Sequence, residues 1–276
     1  MQARGNPRVA LVTGAARRLG RAIALALARD GWDIAVHYGS SAAEAGETAA
    51  QIRGLGRRAG CFQARLDAAD AAVGLIDRAV AELGPITALI NNASHFVHDD
   101  AATVTAGSLN AHLQPNLVAP ILLAQGFARH LEAAGDGERR GVIVNLLDQK
   151  LFNLNPDFLS YTVAKAGLAA ATTMLAQALA PAIRIVGVAP GLTLPSYLQD
   201  EATFRAAHAR FSPLGASSTV DDVAASVVFA VANQSITGSV LLVDGGQHLL
   251  GLPRDASLMP AAAPATATAH SRPGRQ

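Results

Sequence analysis

The 276-residue chain has one cysteine, Cys61, so no internal disulfide can staple it. A reducing compartment is the default expectation. Aromatic residues make up only 4% and charged residues 16%, with a formal net charge of +1. No basic stripe and no interleaving of basic with aromatic residues is present, which argues against a nucleic-acid surface. No Cys/His cluster has metal-ligand spacing, so no metal is expected. No apolar run reaches membrane-spanning length without glycine, proline or a charge breaking it. The opening stretch, Met1 to Arg8, lacks the apolar centre of a signal peptide. The cytoplasm is therefore the expected location, with neither membrane nor nucleic acid as a partner.

What is present is apolar and helix-forming: half of the residues are hydrophobic, and alanine is abundant. Strand-like runs recur at Val9 to Thr13, Asp33 to His37, Gly60 to Ala64, Ala88 to Asn91, Val142 to Leu146, Ile183 to Val188 and Val240 to Val243. Between them, Leu19 to Arg29, Ala42 to Leu55, Ala68 to Leu83, Gly107 to Leu131, Leu159 to Leu179 and Val220 to Ala232 show helical apolar spacing. This alternation predicts an α/β fold, a single-domain Rossmann-type doubly wound parallel sheet of about seven strands flanked by helices. Residues 1–253 are expected to form that domain, with 191–218, which follows a strand and is rich in proline and mixed polarity, as a substrate flap. Residues 254–276, largely alanine, proline and threonine, read as a disordered tail.

The first strand runs into Thr13-Gly14-Ala15-Ala16-Arg17-Arg18-Leu19-Gly20 and then a helix, the context of a dinucleotide-binding turn. Glycine allows close backbone approach, and the helix start offers free N–H groups to a pyrophosphate. Arg17 and Arg18 stand where phosphates are expected. The second strand ends in His37-Tyr38-Gly39-Ser40-Ser41 with no acid to meet a ribose hydroxyl. A 2′-phosphate is welcomed instead by His37, the serine hydroxyls and Arg17, which favours NADPH as cofactor. A polar helix N-cap at Ser40 or Ser41 is the plainer reading, and it is compatible with phosphate binding.

After the fifth strand, Tyr161 and Lys165 lie four residues apart on one helix face, about 5–6 Å between Cβ atoms. A cation near a phenol stabilises its phenolate and lowers its pKa, so Tyr161 can pass a proton. The strand before this helix ends in Asp148, where open α/β sheets bind ligands.

These motifs resemble those of the short-chain dehydrogenases/reductases, over about Pro7 to Leu250. The resemblance rests on the Thr13–Gly20 turn, Asn91-Asn92-Ala93, Asn116, Tyr161/Lys165, Pro190-Gly191 and Asp244-Gly245-Gly246. It implies that Asn92, Ala93 and Ser94 shape the cofactor pocket with Pro190, Gly191 and Leu192. It further implies that Asn116 supports a proton relay and that Lys165 also bonds the nicotinamide ribose. Asp67 is expected to contact the adenine from a shifted position, because Arg65 stands where that family usually has aspartate.

Most of that family has glycine at Arg18 and serine at Asp148. Arg18, His37-Tyr38, Asn91 to Ser94 and Asp148 together resemble the pteridine reductase branch, which includes bacterial dihydromonapterin reductases. This implies Phe96 as an aromatic wall stacking a pterin, Ser94 and Arg18 at its polar edge, Asp148 as partner of the catalytic tyrosine, and a homotetramer. An ionised carboxylate accepts hydrogen bonds but cannot donate one to a ketone, which favours reduction of a pterin C=N bond. Two alternatives stay open: reduction of a carbonyl such as a keto-acyl group or sugar ketone, and a catalytically idle nucleotide-binding protein. Lys150, in the loop between Asp148 and Tyr161, reads more simply as a solvated lysine than as a contact for an anionic substrate.

Overall fold

The computed structural model describes residues 8–67, 72, 74–133 and 140–259. Seven strands pair in the order β3-β2-β1-β4-β5-β6-β7, and every pairing is parallel. They are β1 (Val9–Val12), β2 (Asp33–Tyr38), β3 (Ala59–Gln63), β4 (Ile86–Asn91), β5 (Gly141–Leu146), β6 (Ile183–Pro190) and β7 (Val240–Val243).

A parallel sheet needs cover on both faces, so its strands are apolar on both. β1 shows this directly. Ala10 and Val12 join a core with Ile23 and Leu27 of α1 (Arg18–Arg29), Ile52 of α2 (Ala42–Gly54) and Val227 of α8 (Val220–Ala232). Val9 and Leu11 join the opposite core, with Leu75 of α3 (Leu75–Leu83), Phe127 of α5 (Ala119–Ala133) and Ala176 of α6 (Leu159–Leu179). The remaining helices are α4 (Ala106–Leu113) and α7 (Glu201–Arg210). Strand order reverses between β1 and β4, and the cleft at the strands' C-terminal ends opens there.

Differences from the sequence expectation have local causes. The helix expected over Gly107 to Leu131 is interrupted by a π-helical turn, Gln114–Val118, where Pro115 removes a backbone donor. The helix expected from Ala68 begins at Leu75, after Gly74 in the left-handed region; residues 68–71 and 73 lie outside the described residues. The expected flap contains α7, whose N-terminus is capped by Asp200 accepting from Thr203 N at 2.7 Å. The expected tail also starts too early. Arg254 to Met259 fold back onto the domain, with a 3-10 turn at Ala256–Leu258, because their charges find buried partners; residues 260–276 lie outside the described residues. No described helix is long and apolar enough to cross a membrane.

Candidate active site

The turn after β1 is locked from β4. Thr13 Oγ1 accepts from the N–H groups of Asn92 (2.9 Å) and Ala93 (3.0 Å), and Asn92 Nδ2 donates to Thr13 O at 2.9 Å. A Cβ on Gly20 would stand 2.1 Å from Gly14 O, so only glycine permits this crossing. The first-turn amides of α1 receive no side-chain cap, leaving donors for an anion. The site therefore has the cradle a pyrophosphate requires.

Around this turn lies a cleft of about 960 Å³. Gly14, Arg17, Arg18, Leu19 and Gly20 line it from the turn, and Tyr38, Ser40, Ser41 and Asp67 line its far end. Asn92, Ala93, Ser94 and Phe96 line it from the segment after β4, and Pro190, Gly191 and Leu192 from the segment after β6. Asp148, Tyr161 and Lys165 complete the wall. Ser41 stands at the N-cap of α2 without a side-chain cap bond, so its hydroxyl is not consumed there. Asp67 is bound by Arg65 at 2.5 Å, at the exposed rim.

His37 lines the cleft but is not a phosphate cation, contrary to expectation. Only 2% exposed, its ring accepts from Gly14 N at 3.0 Å through Nδ1 and bonds Ala64 O at 3.0 Å through Nε2. Both nitrogens are used, and burial pushes its pKa down to about 4. His37 is thus a neutral strut between the glycine turn and the end of β3.

Arg18 adopts φ +52°, a conformation costing a non-glycine residue roughly 1–2 kcal/mol. Its guanidinium reaches across the cleft to donate to Pro195 O at 2.9 Å. That contact ties the phosphate turn to the segment over the cleft.

At the catalytic end, Tyr161 Oη donates to Asp148 Oδ2 at 2.9 Å, and Asp148 Oδ1 accepts from Lys150 N at 2.8 Å. Lys165 Nζ donates to Leu146 O at 2.6 Å and stands 5.7 Å from the Tyr161 ring centre. Burial raises the Asp148 pKa, although Lys150 N–H and Tyr161 pull it down. Burial, then the Asp148 charge, pushes the Tyr161 phenol well above its ordinary range. The expected lowering by Lys165 is overturned, because the carboxylate is in direct contact and the ammonium is not. Burial brings Lys165 itself down to about 8.

Asn116 does not line the cleft. It is 1% exposed, and its amide clamps the His95 backbone, accepting from N (3.3 Å) and donating to O (2.8 Å). Phe96 meets the Tyr161 ring edge-on at 4.8 Å, and one face is covered by Phe158, stacked at 4.3 Å. Lys150 is neither solvated nor free for an anion. It is 3% exposed and paired with Asp255 at 3.0 Å. Asp255 and Ser257 also line the cleft, and sequence reading missed both. Their local signal was an Asp-x-Ser cap, Asp255 Oδ1 accepting from Ser257 N at 3.0 Å.

Known proteins are similar to this chain over most of its length. Over 88% of its length the chain is similar to the FolM alternative dihydrofolate reductase 1 of Brucella canis, solved in complex with NADP. Identity is 37%, the TM-score is 0.83, and 94% of that chain is covered. It is 31% identical to pteridine reductase 1 of Leishmania tarentolae, over 87% of this chain and 96% of the relative. It is 32% identical to the 2-dehydro-3-deoxy-D-gluconate 5-dehydrogenase of Escherichia coli, over 87% and 94%. The family model described as short chain dehydrogenase matches residues 8–205. With the parallel sheet, the glycine cradle and the Tyr161/Lys165 pair in place, the chain belongs to the short-chain dehydrogenase/reductase family, and it is an oxidoreductase.

Proposed function

We propose that this chain is an NADPH-dependent reductase of a pterin C=N bond, acting on a dihydropterin of the dihydromonapterin type or on dihydrofolate. The observation that carries this reading is Asp148, half-buried in the cleft wall and bonded to Tyr161 at 2.9 Å. A donor hydroxyl there would serve a ketone; an acceptor suits the N–H groups of a pterin ring.

Gly14, Leu19, Gly20 and the α1 amides would hold the pyrophosphate. Arg17, Tyr38, Ser40 and Ser41 would hold the 2′-phosphate, and Asp67 the adenine. Asn92, Ala93, Pro190, Gly191 and Leu192 would enclose the nicotinamide end, with Tyr161 and Lys165 at its ribose. The absence of an acid after β2 supports NADPH, as does the NADP complex of the Brucella canis relative. When bound, the cofactor supplies the hydride.

The protein supplies the proton and the geometry. Tyr161 stays a phenol at neutral pH and passes its proton to the ring nitrogen through the Asp148/Tyr161 pair. Lys165, charged below about pH 8, offsets negative charge as that proton leaves. Asn116 acts indirectly by fixing the His95 backbone beside Phe96. Phe96 offers a flat wall to the pterin, while Ser94 and Arg18 would meet its polar edge. We also assign a homotetramer built through the helical stretch that carries Asn116 and continues into α5 and through α6, which carries Tyr161 and exposes Met174 (67%) and Val163 (46%); sedimentation tests it. The cytoplasm is the proposed location, tested by cell fractionation.

The deciding experiment follows NADPH oxidation with dihydropterin, dihydrofolate and a panel of ketones, for wild type and Asp148→Ser. The expected result is pterin turnover that collapses in Asp148→Ser. A second reading, carbonyl reduction, draws on the Tyr161/Lys165 pair and the Escherichia coli relative. Ketone turnover that survives or improves in Asp148→Ser establishes it and removes the pterin assignment.

A further inference from the structure

Between β5 and α6 the chain forms a loop that serves the site at two points. Near its start, Lys150 N–H donates to Asp148 Oδ1 at 2.8 Å. At its end, Phe158 lies flat against Phe96, 4.3 Å between ring centres, in a left-handed conformation with φ +54°. A bulky residue holds that conformation only where its surroundings enforce it.

Those surroundings come from the far end of the sequence. The Arg254 guanidinium grips the buried Asp157 carboxylate, donating from Nε at 2.8 Å and from Nη2 at 2.6 Å, and Asp255 N–H adds a bond at 2.7 Å. Asp255 Oδ2 then accepts from Lys150 Nζ at 3.0 Å, and Lys150 also donates to Asn155 Oδ1. The ammonium sits 5.7 Å from the Phe158 ring centre. Beyond this, Ala256 and Met259 pack with Ala207 and Phe211, at α7. Residues 254–259 therefore strap the catalytic loop to the segment over the cleft.

A buried ammonium stays buried only while a counter-charge compensates it, and removing one partner of such a pair costs more than the pair itself contributes. Without the Asp255 carboxylate the ion pair that anchors the loop to the strap is gone: the side chain at 150, charged or neutral, no longer ties the loop down, and its backbone N–H is free to leave Asp148. We propose that Asp255, acting through Lys150, is a positioning residue that holds Asp148 in register with Tyr161, so that the segment Arg254–Met259 is a working part of the active site. This rests on the reading of Asp148 and Tyr161 as the proton-handling pair. The groups that act on Asp148 are Tyr161 and Lys165 from α6, Lys150 from its own loop and Asp255 from the strap. The strap carboxylate raises the proton affinity of both Asp148 and Tyr161, and Lys165 lowers that of Asp148.

The test compares wild type, Asp255→Asn, Asp255→Glu and the double variant Lys150→Gln/Asp255→Asn, which leaves no unpaired buried ammonium and guards against misfolding. In Asp255→Asn, kcat/KM is expected to fall about tenfold and its acid limb to move to lower pH. Hydrogen exchange at the Lys150 amide is expected to quicken at least tenfold, while the NADPH dissociation constant stays within twofold. Asp255→Glu restores the slow amide, and the double variant folds yet keeps the fast amide and the shifted limb. Wild-type amide exchange in folded Asp255→Asn or in the folded double variant overturns the proposal. Amide exchange needs no substrate, so it decides this proposal even where no pterin is turned over, an outcome that removes only the pterin reading.

Discussion

Acid should disable the dinucleotide turn through His37 before it unfolds the sheet. The imidazole is 2% exposed and neutral, with Nδ1 accepting from Gly14 N. Protonation turns Nδ1 into a second donor facing a donor, so the bond becomes a repulsion. With the folded pKa at about 4 against an ordinary 6.5, the unfolded chain takes up this proton first as pH falls. Unfolded molecules bind more protons throughout that window, so stability falls with pH, in the direction linkage requires. The gap corresponds to roughly 3 kcal/mol, present in full above pH 6.5 and lost by about pH 4. His37→Gln keeps one donor and one acceptor but has no proton to gain. Urea unfolding of both proteins across that range isolates the histidine from the carboxylates, because these titrate in both. The wild type should lose about 3 kcal/mol more than His37→Gln. NADPH binding, read by fluorescence, should weaken in the folded wild type as pH falls through about 4, where the folded imidazole takes up its proton. Parallel stability curves, or an imidazole titrating near 6.5 by NMR, would refute the reasoning.

Two further outcomes follow from the same geometry. Gly20→Ala places a Cβ 2.1 Å from Gly14 O and 2.5 Å from Asn92 Nδ2, so the turn must open. NADPH affinity, measured by calorimetry, should drop by about a hundredfold or more, roughly 3 kcal/mol, while circular dichroism stays that of an α/β protein. Lys165, lowered by burial to about 8, loses its charge as pH rises through that value. Accordingly, kcat/KM for NADPH should fall above pH 8 by up to tenfold per unit; a flat profile to pH 10 contradicts a role for the charged amine.

The strands and most helices were legible because each carries its own pattern: apolar runs for buried parallel strands, spacing of three and four for helices. α7 escaped because Pro195 and Pro213 mark 191–218 as loop, while the Asp200 cap that starts the helix is a short local signal. The break at Gln114–Val118 was foreshadowed by Pro115 alone. In the site, the glycine turn and the Tyr161/Lys165 pair stood out because their spacing within one element already sets their geometry, whereas Asp148 stood out by its place at a strand end and by the family resemblance.

The sequence by itself thus determined the parallel sheet, the cradle at Gly14 and Gly20, and the line of residues from Arg17 to Lys165 that borders the cleft. Tertiary structure alone decided what state those groups are in. His37 is neutral because burial disfavours its charge and Gly14 N–H donates to its ring, and Tyr161 is held as a phenol because burial and Asp148 outweigh a more distant lysine. Asn116 sits behind the wall, and Lys150 is buried against Asp255, 105 residues away. Burial and long-range pairing set proton affinities and anchor loops, and neither leaves a periodic mark on the chain that carries them.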